Sequence, residues 1–99
     1  MDYKVILSPL ALDDLEQICR YVALDDPGAA QRVGMGLLDQ AETLRRLPYR
    51  GANVRRRPGV RKVMLRPYLI FYRIDEVRQC VEVLRFWHGA QDPRGLRLE

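Results

Sequence analysis

Three runs, VRKVML (Val60–Leu65), YLIFYRI (Tyr68–Ile74) and CVEVLRFW (Cys80–Trp87), follow one another with only Arg66-Pro67 and Asp75–Gln79 between them. Each is rich in β-branched and aromatic residues and has a period of two, so each reads as a strand. The connections are too short for a crossover, which makes the three strands an antiparallel meander. The middle run is apolar on both faces, with Leu69 and Phe71 on one side and Tyr68, Ile70 and Tyr72 on the other. Such a strand is central, with helices covering one side. The other side is covered by a partner, or it is a partly wet face that the tyrosines rim.

Upstream of the meander, Pro48 to Gly59 reads as a loop marked by Gly51, Asn53, Pro58 and Gly59. Before it come two helices, each announced by a capping residue and a proline: Ser8-Pro9 and Asp26-Pro27. Ala11, Leu15, Ile18 and Val22 form the apolar stripe of the first, which ends near Leu24; Ala30, Val33, Leu37, Ala41 and Leu44 form that of the second, which Pro48 closes. Gly34 and Gly36 cost the second helix stability, and Gly34 implies close approach of another backbone. Tyr3, Val5 and Leu7 alternate with Asp2, Lys4 and Ser8, with Ile6 as the exception, as a first short strand. The expected fold is α+β: an N-terminal strand, an α-helical hairpin and a three-stranded antiparallel meander completing a small sheet. It forms one domain over residues 1–99, with an irregular tail at 89–99.

Charge is segregated along this layout. Met1 to Glu42 has eight acids against Lys4, Arg20 and Arg32, whereas Thr43 to Ile74 has no acid and ten cations. A one-signed block of this kind attracts a polyanion or an acidic polypeptide, unless its side chains diverge into a merely solvated loop. The composition, 47% hydrophobic and 30% charged, is that of a soluble domain, and no apolar run approaches the roughly 18 residues that cross a bilayer. The N-terminal pattern lacks a basic start and a small-residue cleavage site, so a cytoplasmic protein is expected. Cys19 and Cys80 belong to no CxxC or Cys/His cluster, so neither zinc nor a disulfide is expected. The Gly34-Met35-Gly36 stretch lies within a helix and follows no strand, so it is not a phosphate loop. No cofactor, metal or small-molecule substrate is indicated.

Several of these pieces, in their order, resemble the RelE/ParE superfamily of toxins from type II toxin–antitoxin modules. They are Leu7-Ser8-Pro9, Ala11, Asp14-Leu15, Ile18 and Tyr21-Val22; Asp26-Pro27 with Ala29-Ala30; Leu47–Gly51; Val60–Val63; Tyr68–Ile74; and Val83–Gly89. The resemblance implies a cognate antitoxin as partner, in a hetero-oligomer, and one of two targets. RelE-like members cut messenger RNA on the ribosome; ParE-like members poison DNA gyrase. RNA cleavage needs groups that activate a 2′-hydroxyl, stabilise phosphate charge and protonate a leaving oxygen. Nuclease relatives carry two basic residues at alternate positions of the strand that holds Lys62, but Met64 stands at the second position. They carry Arg after the tyrosine that opens the next strand, but Leu69 follows Tyr68. Their tails often hold a Tyr, and none follows Tyr72 here. These departures imply a ParE-like toxin that inhibits gyrase by binding and is not an enzyme.

Candidate target contacts, chosen from charge and position, are Arg55, Arg56, Arg57, Arg61, Lys62, Arg66 and Arg85. His88, at the end of the last strand, is either a further contact or general base, or simply structural. Arg61 and Lys62 are adjacent on a strand and should face opposite sides. A reading from a different class is a basic module that binds free nucleic acid through phosphates. Its basic loop offers only Tyr49 for base stacking.

Overall fold

The computed structural model describes residues 2–98. The order is β1 (Lys4–Leu7), α1 (Pro9–Ala23), α2 (Pro27–Glu42), β2 (Ala52–Asn53), β3 (Val60–Leu65), β4 (Tyr68–Asp75) and β5 (Cys80–His88). Single 3-10 turns lie at Thr43–Arg45, Pro48–Arg50 and Pro93–Gly95. The sheet has five strands in the order β1-β5-β4-β3-β2, antiparallel except where β1 runs parallel to β5. The α+β architecture expected from periodicity is the one formed.

Both helices start where the sequence signals them. The Ser8 hydroxyl accepts the Ala11 N–H and donates to the Leu84 carbonyl, so one side chain caps α1 and ties it to β5. The Asp26 carboxylate accepts the N–H groups of Gly28 and Ala29 at the start of α2. The hairpin lays Ala11, Leu37 and Ala41, with Leu44 just beyond α2, against Val63, Tyr68, Ile70, Tyr72, Val81, Val83 and Phe86.

Three features depart from the sequence reading. The Pro48–Gly59 segment is not all loop: β2 pairs Ala52 with Lys62 and Asn53 with Arg61. Gly34 accommodates a side chain, not a backbone, because a Cβ there would lie 2.9 Å from the Cys19 Sγ on α1. Strict alternation fails in β5, where Val83 pairs with Tyr72 and Arg85 with Phe71, leaving Leu84 as a bulged extra residue. Leu84 consequently turns away from the helices, while Val83 and Phe86 both stay in the main core.

The tail, irregular apart from the 3-10 turn at Pro93–Gly95, contributes to the core. It folds back over the sheet face opposite the helices, where Leu96, 4% exposed, packs with Val60, Phe71 and Leu84. Val54, Leu69, Trp87 and Leu98 border this second cluster. The cover that the doubly apolar central strand demands is therefore supplied, in part, by the chain itself.

Candidate target-binding face

Two arginines hold the tail in place. Arg57 donates to the Leu96 carbonyl at 2.7 Å, and Arg85 donates to the Arg97 carbonyl at 2.5 Å. Arg57 comes from a tight turn in which the Val54 N–H bonds to the Val60 carbonyl and the Arg57 N–H to the Val54 carbonyl. In that turn Arg56 adopts a left-handed backbone (φ 66) and Gly59 another (φ 80). Left-handed geometry is unfavourable for arginine and ordinary for glycine. The turn aims Arg57 at the tail, while Arg55 and Arg56 remain exposed.

Arg85 is held on a second side as well. Its Nε and Nη2 donate to the two oxygens of Asp14 at 2.6 and 2.8 Å, a bidentate pair with side chains only 14% and 12% exposed. Asp14 also accepts the Phe86 N–H at 3.1 Å. It thus caps the edge of β5 beyond the point where β1 ends at Leu7. Hydrogen bonding to that carboxylate raises the guanidinium pKa further above its ordinary value. The guanidinium carbon also lies 5.3 Å from the Trp87 ring centroid.

The eight candidate contacts therefore do not form one patch. Lys62 lies opposite Phe71 in the register, on the face that carries the tail, and the Arg57 turn adjoins that face. Arg61 faces the other way, donating to the Tyr49 and Gly51 carbonyls with its guanidinium 5.0 Å from the Tyr49 ring centroid. Arg66 is exposed in the β3–β4 turn. Arg85 is largely withdrawn into the Asp14 pair. His88 stands opposite Tyr68 with its ring edge-on at 5.4 Å, and its Nδ1 accepts the Ala90 N–H. It lines a groove of about 450 Å³ with Asp13, Tyr21 and Tyr68, on the α1 side of the sheet.

Burial raises the pKa of Tyr68, so its phenol stays neutral over the ordinary pH range. Among the described residues no three His, Cys, Asp or Glu side chains converge as metal ligands would, and no helix is long and apolar enough to cross a membrane.

Sequence reasoning missed Asp14 and Leu96, which organise this face. Asp14 resembles any outward acid on an amphipathic helix, and its partner is 71 residues away. Leu96 is one of only two apolar residues after Pro93.

The family model for the ParE toxin of the type II toxin–antitoxin system parDE matches residues 5–93. The chain belongs to the RelE/ParE superfamily of type II toxins. It is 30% identical over 95 residues to Toxin RelE1 of Caulobacter vibrioides, covering 92% of this chain and 98% of that toxin. Among solved structures it is similar to a chain of the RelBE2 toxin–antitoxin complex of Mycobacterium tuberculosis. There the TM-score is 0.71 and the identity 27%, over 89% of this chain and 99% of that one. A chain of the chromosomal ParDE system of P. aeruginosa shares the fold at TM-score 0.74, with 24% identity over 87% of this chain and 95% of that one. As a superfamily toxin, the chain presents two distinct exteriors: the acidic helical hairpin, and the tail-covered sheet face with its cationic turn.

Proposed function

We propose that this toxin is ParE-like: it inhibits DNA gyrase by binding, does not cleave RNA, and is neutralised by a cognate antitoxin. One observation carries the reading. Met64 and Leu69, which stand where nuclease relatives place cations, are direct neighbours across β3 and β4. The region in which a phosphate would be bound and a leaving oxygen protonated is therefore apolar, and Lys62 alone cannot supply the set that cleavage requires. His88 is on the helix side of the sheet, away from Lys62, so the two do not form an acid–base pair.

An antitoxin partner is supported by the toxin–antitoxin complexes among the similar structures. The helical hairpin offers it apolar surface: Met35 and Leu38, three apart on α2, are 54% and 37% exposed. An amphipathic segment docks on such a face, and the complex should survive moderate salt because apolar burial carries the affinity.

The test is purified toxin incubated with gyrase and supercoiled plasmid, and separately with ribosomes on messenger RNA. Toxin-dependent, gyrase-dependent DNA breaks with intact RNA are expected. Cleavage of ribosome-bound RNA at a low toxin-to-ribosome ratio would replace this reading with the RelE-like one. Tight, salt-sensitive binding to free DNA or RNA without either activity would favour the simple binding module.

A further inference from the structure

Met64, Leu69 and Trp87 form a row across three strands. Met64 is in register with Leu69, and Leu69 with Trp87. Directly opposed side chains share a face, and this is the face on which the tail lies, because Leu69 and Trp87 pack against the Phe71 and Leu96 cluster. Met64 is 50% exposed at the open end of the row. Lys62, two residues before Met64, shares its face.

The cations around the row differ in their freedom. Arg57 and Arg85 are bound to the tail carbonyls and to Asp14. The side chains of Lys62, Arg55 and Arg66 make no hydrogen bond or ion pair among the described residues; Arg55 and Arg66 are exposed and Lys62 is partly so. The face thus has an apolar centre containing Trp and Met, with positive charge at its margin, a composition enriched at the centres of protein interfaces.

We infer that the Met64–Leu69–Trp87 row is the anchor by which the toxin grips its protein target, docking on an acidic surface that presents an apolar side chain. The inference rests on the gyrase reading above. Charge complementarity selects the occupant: Lys62 shares the face of the row, Arg55 and Arg66 are exposed at its margin, and no acid lies between Thr43 and Ile74, so an acidic opposing surface fits. Nucleic acid fits poorly, because its phosphates would meet the apolar centre and the Trp87 ring already lies beside the Arg85 guanidinium. Met64, the most exposed member, inserts into the partner; Lys62 pairs with a carboxylate at the rim and chiefly speeds encounter.

The experiment compares wild type with Met64→Asp and Met64→Leu in the gyrase cleavage assay, with thermal melts of each protein. Met64→Asp should reduce trapping of cleaved DNA by about tenfold or more, as expected for an interface anchor, while Met64→Leu stays within about twofold. Melting temperatures should hardly change, since Met64 is half exposed.

If wild type traps cleaved DNA and Met64→Asp does so equally well, the anchor is overturned while the gyrase reading stands. If wild type traps nothing, both fall. Trp87, the only tryptophan, provides a second measurement: titration with a 20-base-pair DNA duplex, or with single-stranded RNA of the same length, should leave its emission unchanged at physiological salt. Saturable, salt-sensitive quenching would assign the row to nucleic acid and overturn the protein anchor.

Discussion

The Tyr72 hydroxyl accepts the Gly51 N–H at 3.0 Å while donating to the Pro48 carbonyl at 2.6 Å. One fully buried oxygen thereby fixes both ends of the turn that leads into β2. The arrangement leaves no room at Gly51, where a Cβ would lie 2.4 Å from that oxygen and 2.7 Å from the Lys62 carbonyl.

Tyr72→Phe should cost about 1–2 kcal/mol, because it leaves a buried donor and a buried acceptor without partners. In a domain of this size that lowers the melting temperature by roughly 5–15 °C. Gly51→Ala should cost about 1–3 kcal/mol by overpacking. Calorimetry of the two single variants and the double variant checks both. In the double variant the Cβ no longer meets the hydroxyl, so the two costs should be less than additive.

Asp14→Ala should destabilise by about 2–4 kcal/mol, since it strands the Arg85 guanidinium and the Phe86 N–H together. Arg85→Met, which removes the charge but keeps an apolar stem, should cost less in the Asp14→Ala background than in wild type. Urea titrations of the four proteins in this cycle measure the coupling. Additive effects would mean that the pair contributes nothing beyond its separate contacts.

Arg57 differs from its two neighbours. Arg57→Ala should release the tail, seen as faster hydrogen exchange at Leu96 and Leu98 and a gain in hydrophobic-dye binding over Phe71 and Leu84. Arg55→Glu with Arg56→Glu should leave exchange and melting unchanged, because exposed charges contribute roughly 0–1 kcal/mol. On the proposed function the same pair should reduce target inhibition severalfold. Full inhibition by a normally folded pair would make the exposed part of this turn an ordinary solvated loop.

Burial raises the pKa values of Tyr68 and Tyr72. A phenol whose folded pKa lies above its unfolded value of about 10 contributes its full stability below that pH. The contribution is lost as pH rises towards the folded pKa, because only the unfolded chain can ionise there. The melting temperature should be flat from pH 7 to about 9 and fall above about 10, and Tyr68→Phe should make that fall shallower. An undiminished fall in the variant would assign the alkaline transition to other groups.

The parts of the fold legible in the sequence are those whose signals are local. Ser8-Pro9 and Asp26-Pro27 announce caps that use only the next three residues. The meander boundaries fall within one residue of the periodic runs because Arg66-Pro67 and Asp75 interrupt them. What escaped reading depends on distant chain. The strand at Ala52–Asn53 exists only through its pairing with β3, and Leu96 becomes core only because Phe71 and Leu84 leave a space for it. The bulge at Leu84 reverses the facing of everything before it relative to everything after it, so side-of-sheet assignments made by counting could not hold in β5. The candidate contacts rest on charge and position along the chain. Charge does not reveal that Arg57, Arg61 and Arg85 are occupied by carbonyls and a carboxylate, whereas Arg55, Lys62 and Arg66 are not.

The first strand of this chain pairs with the last, Lys4 beside Cys80 and Leu7 beside Val83. A growing polypeptide can form the helical hairpin, and later the β3–β4 ladder, but β1 has no neighbour until Cys80–His88 has left the ribosome. Closing so long a loop makes the final step slow compared with local events. Until then one flank of the core lies open, and Asp14 lacks its partners Arg85 and Phe86. A fragment that stops before Cys80 lacks the strand against which its beginning must lie. The topology therefore withholds the finished toxin fold until β5 has been made.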